Sequence, residues 1–105
     1  MDQKVYSRVK LFAERIKPFL PVKMIILYGS YAKGTERPDS DIDVAVVVEE
    51  LNDNWLKVNS KLLLISSEID DKIEPNLIIC KGNKSGFVES IMNYGIVIYD
   101  NSKVA

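Results

Sequence analysis

The sequence contains no histidine and a single cysteine, Cys80. The absence of histidine removes the usual general base near neutral pH and the commonest zinc ligand. One cysteine cannot form a disulfide within the chain, so nothing in the sequence requires an oxidising compartment. Any chemistry must therefore rest on carboxylates, hydroxyls, lysines, or a metal ion that is held by oxygen atoms.

The sequence also lacks an excess of positive charge and a long apolar segment. Its 14 Lys and Arg residues are balanced by 15 Asp and Glu residues, whereas a domain that grips DNA or RNA along the backbone is normally clearly basic. No segment approaches the roughly 18 apolar residues of a membrane helix, and the charged N-terminal residues do not resemble a signal peptide. We therefore expect a small soluble cytoplasmic protein, without membrane insertion or extended nucleic-acid binding.

Hydrophobic periodicity predicts one compact domain over residues 1–105. The predicted helices cover residues 2–17, 52 or 53 to 69, and 87–93, and the predicted strands cover residues 22–28, 41–48, 73–80 and 96–99. Asn52 or Asp53 is expected to cap the second of these helices, and Trp55, at the start of its apolar stripe, is expected in the core. Gly95 is predicted to end the last helix in the left-handed conformation. A short loop favours antiparallel pairing of the first two strands, and the intervening helix allows a crossover between the second and third. The expected fold class is α/β (α+β), a mixed sheet of about four strands with helices packed on it.

Two carboxylates, Asp41 and Asp43, begin a strand that otherwise reads as buried. Because side chains alternate along a strand, both carboxylates lie on one face, roughly 6–7 Å apart, where they repel each other and resist desolvation. A cation bound between them would offset both the repulsion and the cost of desolvation, and Mg²⁺ prefers such oxygen ligands. Two Mg²⁺ ions could be bridged if a third carboxylate joined the pair. The alternative is an acidic pair that is simply solvated.

A second polar segment follows the preceding strand. Gly29 and Ser30 end that strand, and Gly34 comes four residues after Ser30. This spacing can form a tight turn that leads into a single helical turn, where exposed backbone N–H groups and the Ser30 hydroxyl would bind phosphate. By itself, a Gly-Ser pair is also what an ordinary strand-ending turn contains.

The two segments together form a recognisable pattern. Gly29-Ser30, ten intervening residues and Asp41-Ile42-Asp43 resemble the signature of the polymerase-β-like nucleotidyltransferases, and Ala32 and Gly34 extend the match. The chain is most similar to the minimal nucleotidyltransferases, small stand-alone members that are often encoded beside a HEPN-domain protein. The specific resemblance is carried by residues 24–48. It implies a nucleotidyltransferase fold.

The resemblance also implies a third metal ligand on the strand after the crossover helix. Glu74 is our choice, because it shares a strand face with Asn76 and Ile78. The family usually has Asp here, and Asp70 and Asp71 are rival candidates. Glu74 could instead be a solvent-facing strand residue, in which case the site has only two carboxylates.

Lys33 lies in the predicted phosphate-binding loop, where it would contact a triphosphate or remain a solvated loop charge. The preceding residue pattern thus predicts Gly29, Ser30, Lys33 and Gly34 as nucleotide-binding residues.

The function implied by the resemblance is Mg²⁺-dependent transfer of a nucleoside monophosphate, AMP above all, from an NTP such as ATP to an acceptor hydroxyl. The acceptor would be a tyrosine of a partner HEPN-type toxin, which would make this chain an antitoxin. A homo-oligomer or a complex with that partner is expected. Two alternatives remain: a silent module with the same fold that acts by covering its partner, and a nucleotide-sugar glycosyltransferase, which also uses Asp-x-Asp but has no role for Gly29-Ser30.

Overall fold

A computed structural model describes residues 2–82 and 85–103. Within these residues the chain forms α1 (Gln3–Ile16), β1 (Val22–Tyr28), α2 (Ser30–Lys33), β2 (Ile42–Val48), α3 (Trp55–Ile69), β3 (Ile73–Ile79), α4 (Phe87–Met92), β4 (Ile96–Asp100) and a 3-10 turn (Asn101–Lys103). None of these helices is both long and apolar enough to span a membrane. The predicted helices and strands are present, with bounds that differ by at most three residues.

The four strands form one mixed sheet in the order β3-β2-β1-β4. β1 runs antiparallel to both β2 and β4, and β2 runs parallel to β3, because α3 carries the chain back along the sheet between those two strands. Pro75 lies on the edge strand β3, where its missing N–H removes no ladder hydrogen bond from an interior strand. The predicted mixed sheet is therefore confirmed.

The two faces of the sheet are covered very differently. One face packs against α1 and α3, and its core includes Val44, Val46, Phe12 and Leu62, all of them fully buried. The other face packs against the six-residue α4, whose Ile91 covers a smaller cluster: Ile26, Ala45, Val47 and Ile78. Such a short helix cannot cover the whole face, and the row that contains Tyr28 and Asp43 is only half-buried.

The prediction for Gly95 was wrong. It is not among the glycines with positive φ, and the residue that caps α4 is Asn93, in the right-handed conformation. Glycine is needed at position 95 because a Cβ there would lie 2.5 Å from the Ile91 carbonyl oxygen and 2.7 Å from Ile26 Cγ2. Close packing between the α4–β4 connection and β1, rather than a left-handed turn, explains this glycine.

Two predictions about α3 also need correction. The N-cap is Asn54, whose side chain accepts a hydrogen bond from the Lys57 N–H at 3.1 Å, rather than Asn52 or Asp53. Trp55 is 49% exposed and does not belong to the core, because the buried residues of α3 begin only at Val58.

Candidate active site

Register across three strands places Tyr28, Asp43 and Glu74 in one row. Asp43 on β2 pairs with Tyr28 on β1 and with Glu74 on β3. Residues that are directly opposite on neighbouring strands point to the same face, with strands about 4.8 Å apart. The structure therefore brings Glu74 beside Asp43, on the face that α4 covers incompletely.

Asp41 is the third acidic residue of this cluster, beside Asp43 and Glu74. It precedes β2 and is exposed, and its carboxyl lies near that of Glu74. Hydrogen bonding with the Asp41 carboxyl, followed by the charge of Asp41, raises the pKa of Glu74. Partial burial, and then the charge of Asp41, raise the pKa of Asp43. The charge of Asp41 thus makes it harder for both Asp43 and Glu74 to carry a negative charge.

The donor chemistry of these three side chains fits Mg²⁺, although they do not form a preformed cage. Within the described ranges, no three His, Cys, Asp or Glu side chains converge closely enough to be a metal site by themselves. The charge of Asp41 disfavours ionisation of its neighbours, and a hard cation bound among these oxygen atoms would relieve that repulsion. Mg²⁺ commonly takes one or two protein carboxylates and fills its remaining positions with water and phosphate oxygens.

Gly29 lies directly against the Asp43 carboxylate. Its φ is 73°, a conformation that glycine adopts without penalty, and a Cβ built at this position would collide with Asp43 Oδ2. The Gly-Ser turn and the Asp-x-Asp strand are therefore packed together at van der Waals distance. This contact unites the two sequence segments in a single site.

The single-turn helix α2 follows Gly29, as the sequence predicts. The Lys33 N–H donates to the Gly29 carbonyl at 3.1 Å, and Gly34 ends the turn with a φ of 74° while its N–H donates to the Ser30 carbonyl. Ser30 is half-buried and Lys33 is exposed. Gly34 has open space where a Cβ would lie, so its glycine serves the backbone conformation alone.

Sequence reasoning missed three side chains of the site: Tyr28, Asn76 and Tyr94. The Asn76 amide donates to the Tyr28 hydroxyl at 3.3 Å, and burial, together with the nearby charges of Asp43 and Glu74, raises the pKa of Tyr28. The Tyr94 hydroxyl accepts a hydrogen bond from the Gly29 N–H at 3.3 Å. Tyr28 and Asn76 could have been found from strand alternation, since they share the face of Asp43 and Glu74.

The carboxylates lie on an open surface. A cavity of about 320 Å³ lies at the opposite end of the strands and is lined by residues such as Met24, Val47 and Cys80. Val47 is four residues along β2 from Asp43, roughly 13 Å at the usual rise of a strand. This cavity is therefore separate from the carboxylates, which a large acceptor could approach directly.

Comparison with known proteins identifies the family. A family model described as "Polymerase beta, Nucleotidyltransferase" matches residues 12–104. The chain belongs to the polymerase beta nucleotidyltransferase family. The prediction of family, fold and enzyme class is thereby confirmed.

Two relatives of this nucleotidyltransferase come from an archaeon and a bacterium. A protein of Methanocaldococcus jannaschii, provisionally named a protein adenylyltransferase, is 34% identical over 96 residues, which cover 86% of this chain and 94% of that protein. The protein adenylyltransferase MntA of Shewanella oneidensis is 30% identical over 78 residues, which cover 70% of this chain and 54% of MntA. The chain therefore spans about half the length of MntA.

A solved structure with the same fold is a complex. It contains a tri-AMPylated HEPN toxin of Shewanella oneidensis with its MNT antitoxin, and the match has a TM-score of 0.53 and 20% identity over 90% of this chain and 74% of that chain. At this level of identity the comparison establishes the fold of the nucleotidyltransferase.

Proposed function

We propose that this chain transfers AMP from ATP to a tyrosine hydroxyl of a HEPN-type toxin and thereby acts as an antitoxin. The observation that carries the proposal is the contact of Gly29 with Asp43, in the same row of the sheet as Glu74. A phosphate-binding turn and a group of carboxylates are what a nucleotidyl transfer needs side by side. Relatives named protein adenylyltransferases, and the AMPylated HEPN toxin found with an MNT antitoxin, support the choice of donor and acceptor.

In the proposed site Asp41, Asp43 and Glu74 hold Mg²⁺, with two ions as in other phosphoryl-transfer sites. The bound metal would lower the pKa of the acceptor hydroxyl and neutralise charge on the pyrophosphate leaving group. Asp43 is fixed by its position in an interior strand, whereas Asp41 and Glu74 are exposed. The exposed pair can therefore adjust its side chains to a ligand with little cost to the fold.

The phosphate-binding part of the proposed site consists of Gly29, Ser30, Lys33 and Gly34. Gly29 lets the nucleotide approach the backbone beside Asp43, and Ser30 supplies a hydroxyl. Lys33 supplies a positive charge for the β and γ phosphates. Gly34 ends α2 after one turn, which keeps the segment from extending across the site.

In the reaction the acceptor oxygen forms a bond to the α-phosphorus, and the bond from that phosphorus to the pyrophosphate oxygen breaks. The acceptor proton passes to Glu74, which lies at the exposed edge of the site. An open edge suits an acceptor that is part of a protein, because a folded partner could not enter a closed cavity.

A second candidate function is a silent module that has the same fold and acts by covering its partner. The observation that favours it is that the three carboxylates do not converge into a ready metal cage in the described residues. The two candidates differ in whether any covalent modification of the partner takes place.

The test incubates this chain with a HEPN-type protein, Mg²⁺ and ATP labelled at the α-phosphorus. Label on the HEPN protein, absent when ATP is labelled at the γ-phosphorus, would identify AMP transfer. The label should disappear with Asp43→Asn and persist with Asp71→Asn, a change to an exposed carboxylate outside the row. Complex formation without any label would favour the silent module.

A further inference from the structure

Tyr94 lies near the end of β1, and the backbone on either side of it is fixed by hydrogen bonds and packing. The N–H groups of Tyr94 and Gly95 both donate to the Ile91 carbonyl, at 3.4 and 2.7 Å. Gly95 packs so closely on Ile26 that a side chain has no room there. β4 then pairs with β1 from Ile96 onward. These constraints direct the Tyr94 side chain towards Gly29.

Tyr94 makes two contacts with the predicted phosphate-binding segment. Its hydroxyl accepts a hydrogen bond from the Gly29 N–H at 3.3 Å. The face of its ring lies 4.7 Å from the Lys33 ammonium, a favourable position for a cation on an aromatic ring. One side chain from the α4–β4 connection therefore contacts both the first residue of the turn and its lysine.

The Lys33 ammonium has no carboxylate partner in the described part of the chain. This distinguishes it from Lys17, which lies 4.4 Å from the Tyr99 ring and also pairs with Glu14 at 3.0 Å. An aromatic ring can hold a cation in place without neutralising its charge. The Lys33 charge is therefore both restrained and available to an anion.

We propose that Tyr94 is a positioning residue of the phosphate site, which holds Lys33 and the Gly29 turn so that both meet the β and γ phosphates of the nucleotide. This inference rests on the proposed function. It assigns to the α4–β4 connection a role in nucleotide affinity, in addition to its packing on β1. Most of this contribution to nucleotide affinity is made through Lys33, so removing either the Tyr94 or the Lys33 side chain should remove that shared part.

The test is a double-mutant cycle on the affinity for ATP with Mg²⁺, measured by calorimetry on wild type, Tyr94→Leu, Lys33→Met and the double variant. Tyr94→Leu should weaken ATP binding about two- to fivefold, the worth of an exposed cation–ring contact. In the Lys33→Met background the same change should cause little further loss. Affinity for AMP, which has no β or γ phosphate, should stay the same.

Two further variants separate positioning from general damage to the fold. Tyr94→Phe keeps the ring, so it should retain most of the coupling to Lys33 while losing the hydrogen bond to Gly29. Lys17→Met removes a lysine from a comparable ring contact away from the site. Its effect on ATP affinity should simply add to that of Tyr94→Leu, without coupling.

The outcomes distinguish this inference from the proposed function. Three results would overturn the role of Tyr94 even though the protein binds nucleotide. These are additive losses of ATP affinity in the Tyr94 and Lys33 cycle, an equal loss of affinity for ATP and AMP, or unchanged ATP affinity in Tyr94→Leu. If the wild type binds no nucleotide, the proposed function fails, and the inference fails with it.

Discussion

The α-carbon of Gly29 packs against the carboxylate of Asp43, and this contact brings the two halves of the family's sequence pattern together. Gly29 follows β1 with a positive φ of 73°, and Asp43 lies in β2, directly opposite Tyr28 at the end of β1. The turn and the strand are therefore positioned by the same antiparallel pairing. A change that separates them should impair the site even where the fold survives.

Gly29→Ala should destabilise the protein and weaken nucleotide binding. The substituted residue would be strained at a φ of 73°, and its Cβ would also displace the Asp43 carboxylate. Gly34→Ala gives the cost of a positive φ with open space at the Cβ position. Its left-handed backbone, with a ψ of 20°, is less costly for alanine than that of Gly29, whose ψ of −153° lies in a region that is essentially restricted to glycine. Urea denaturation should give about 1 kcal/mol of destabilisation for Gly34→Ala and a larger loss for Gly29→Ala. Equal losses from the two variants would show that the contact with Asp43 has no consequence.

Gly95→Ala should destabilise the protein through steric conflict alone, since its φ is not positive. Its Cβ would lie 2.5 Å from the backbone oxygen of Ile91, and backbone atoms cannot move aside as a flexible side chain can. We expect a loss of about 1–3 kcal/mol, as for other overpacked sites, measured by denaturant unfolding. An unchanged midpoint of unfolding would mean that the α4–β4 connection does not pack on β1 as described.

Asp43→Asn should raise the melting temperature of the metal-free protein. Burial and the charge of Asp41 raise the pKa of Asp43 in the folded state, so its ionised form opposes folding at neutral pH. This penalty is absent below the unfolded-state pKa and grows as the pH rises through the folded-state pKa. The gain from Asp43→Asn should accordingly disappear in acid. A lower melting temperature at pH 7, measured with a chelator present, would contradict this expectation.

Leu62→Ala should cost far more stability than Leu63→Ala, although the two residues are neighbours on α3. Leu62 is fully buried against the sheet and Leu63 is 47% exposed. Truncation of a buried leucine costs about 2–5 kcal/mol, whereas surface changes usually stay within about 0.5 kcal/mol. The comparison, made by denaturant unfolding, tests the orientation of α3. Similar losses at the two positions would indicate that Leu63 is covered, for example by another copy of the chain.

The local features of the fold and part of the candidate site could be predicted from the sequence. Strand alternation placed Asp41 and Asp43 on one face, and the order of the elements put Glu74 on the strand beside them. Tyr94 could not be assigned in this way, because its contact with Gly29 depends on the pairing of β1 with β4, which lie far apart in the chain. Gly95 was misassigned for the same reason: a left-handed cap is a local explanation, while its packing on Ile26 is not local.

The hydrophobic pattern of the sequence also did not predict where α3 begins or how exposed its first residue is. Asn52, Asp53 and Asn54 are all good N-caps, and only the packing of α3 on the sheet decides in favour of Asn54. Trp55 continues the apolar periodicity of α3, yet it is half exposed, and the buried residues of the helix begin only at Val58. Periodicity identifies the face of a helix, but it does not tell how far the surface beneath the helix reaches.

The most direct test of the account is thermal stabilisation by ATP, in the presence and absence of Mg²⁺. It compares wild type, the double variant Asp41→Asn with Asp43→Asn, Glu74→Gln, and Asp71→Asn as the control. ATP at 100 times its dissociation constant should stabilise the wild type by about 2.7 kcal/mol, a shift in melting temperature that a scan would resolve. We predict a Mg²⁺-dependent shift in wild type and Asp71→Asn that is lost in the double variant and in Glu74→Gln. A shift that survives in both of those variants, or no shift in any protein, would contradict a nucleotide site built on these three carboxylates.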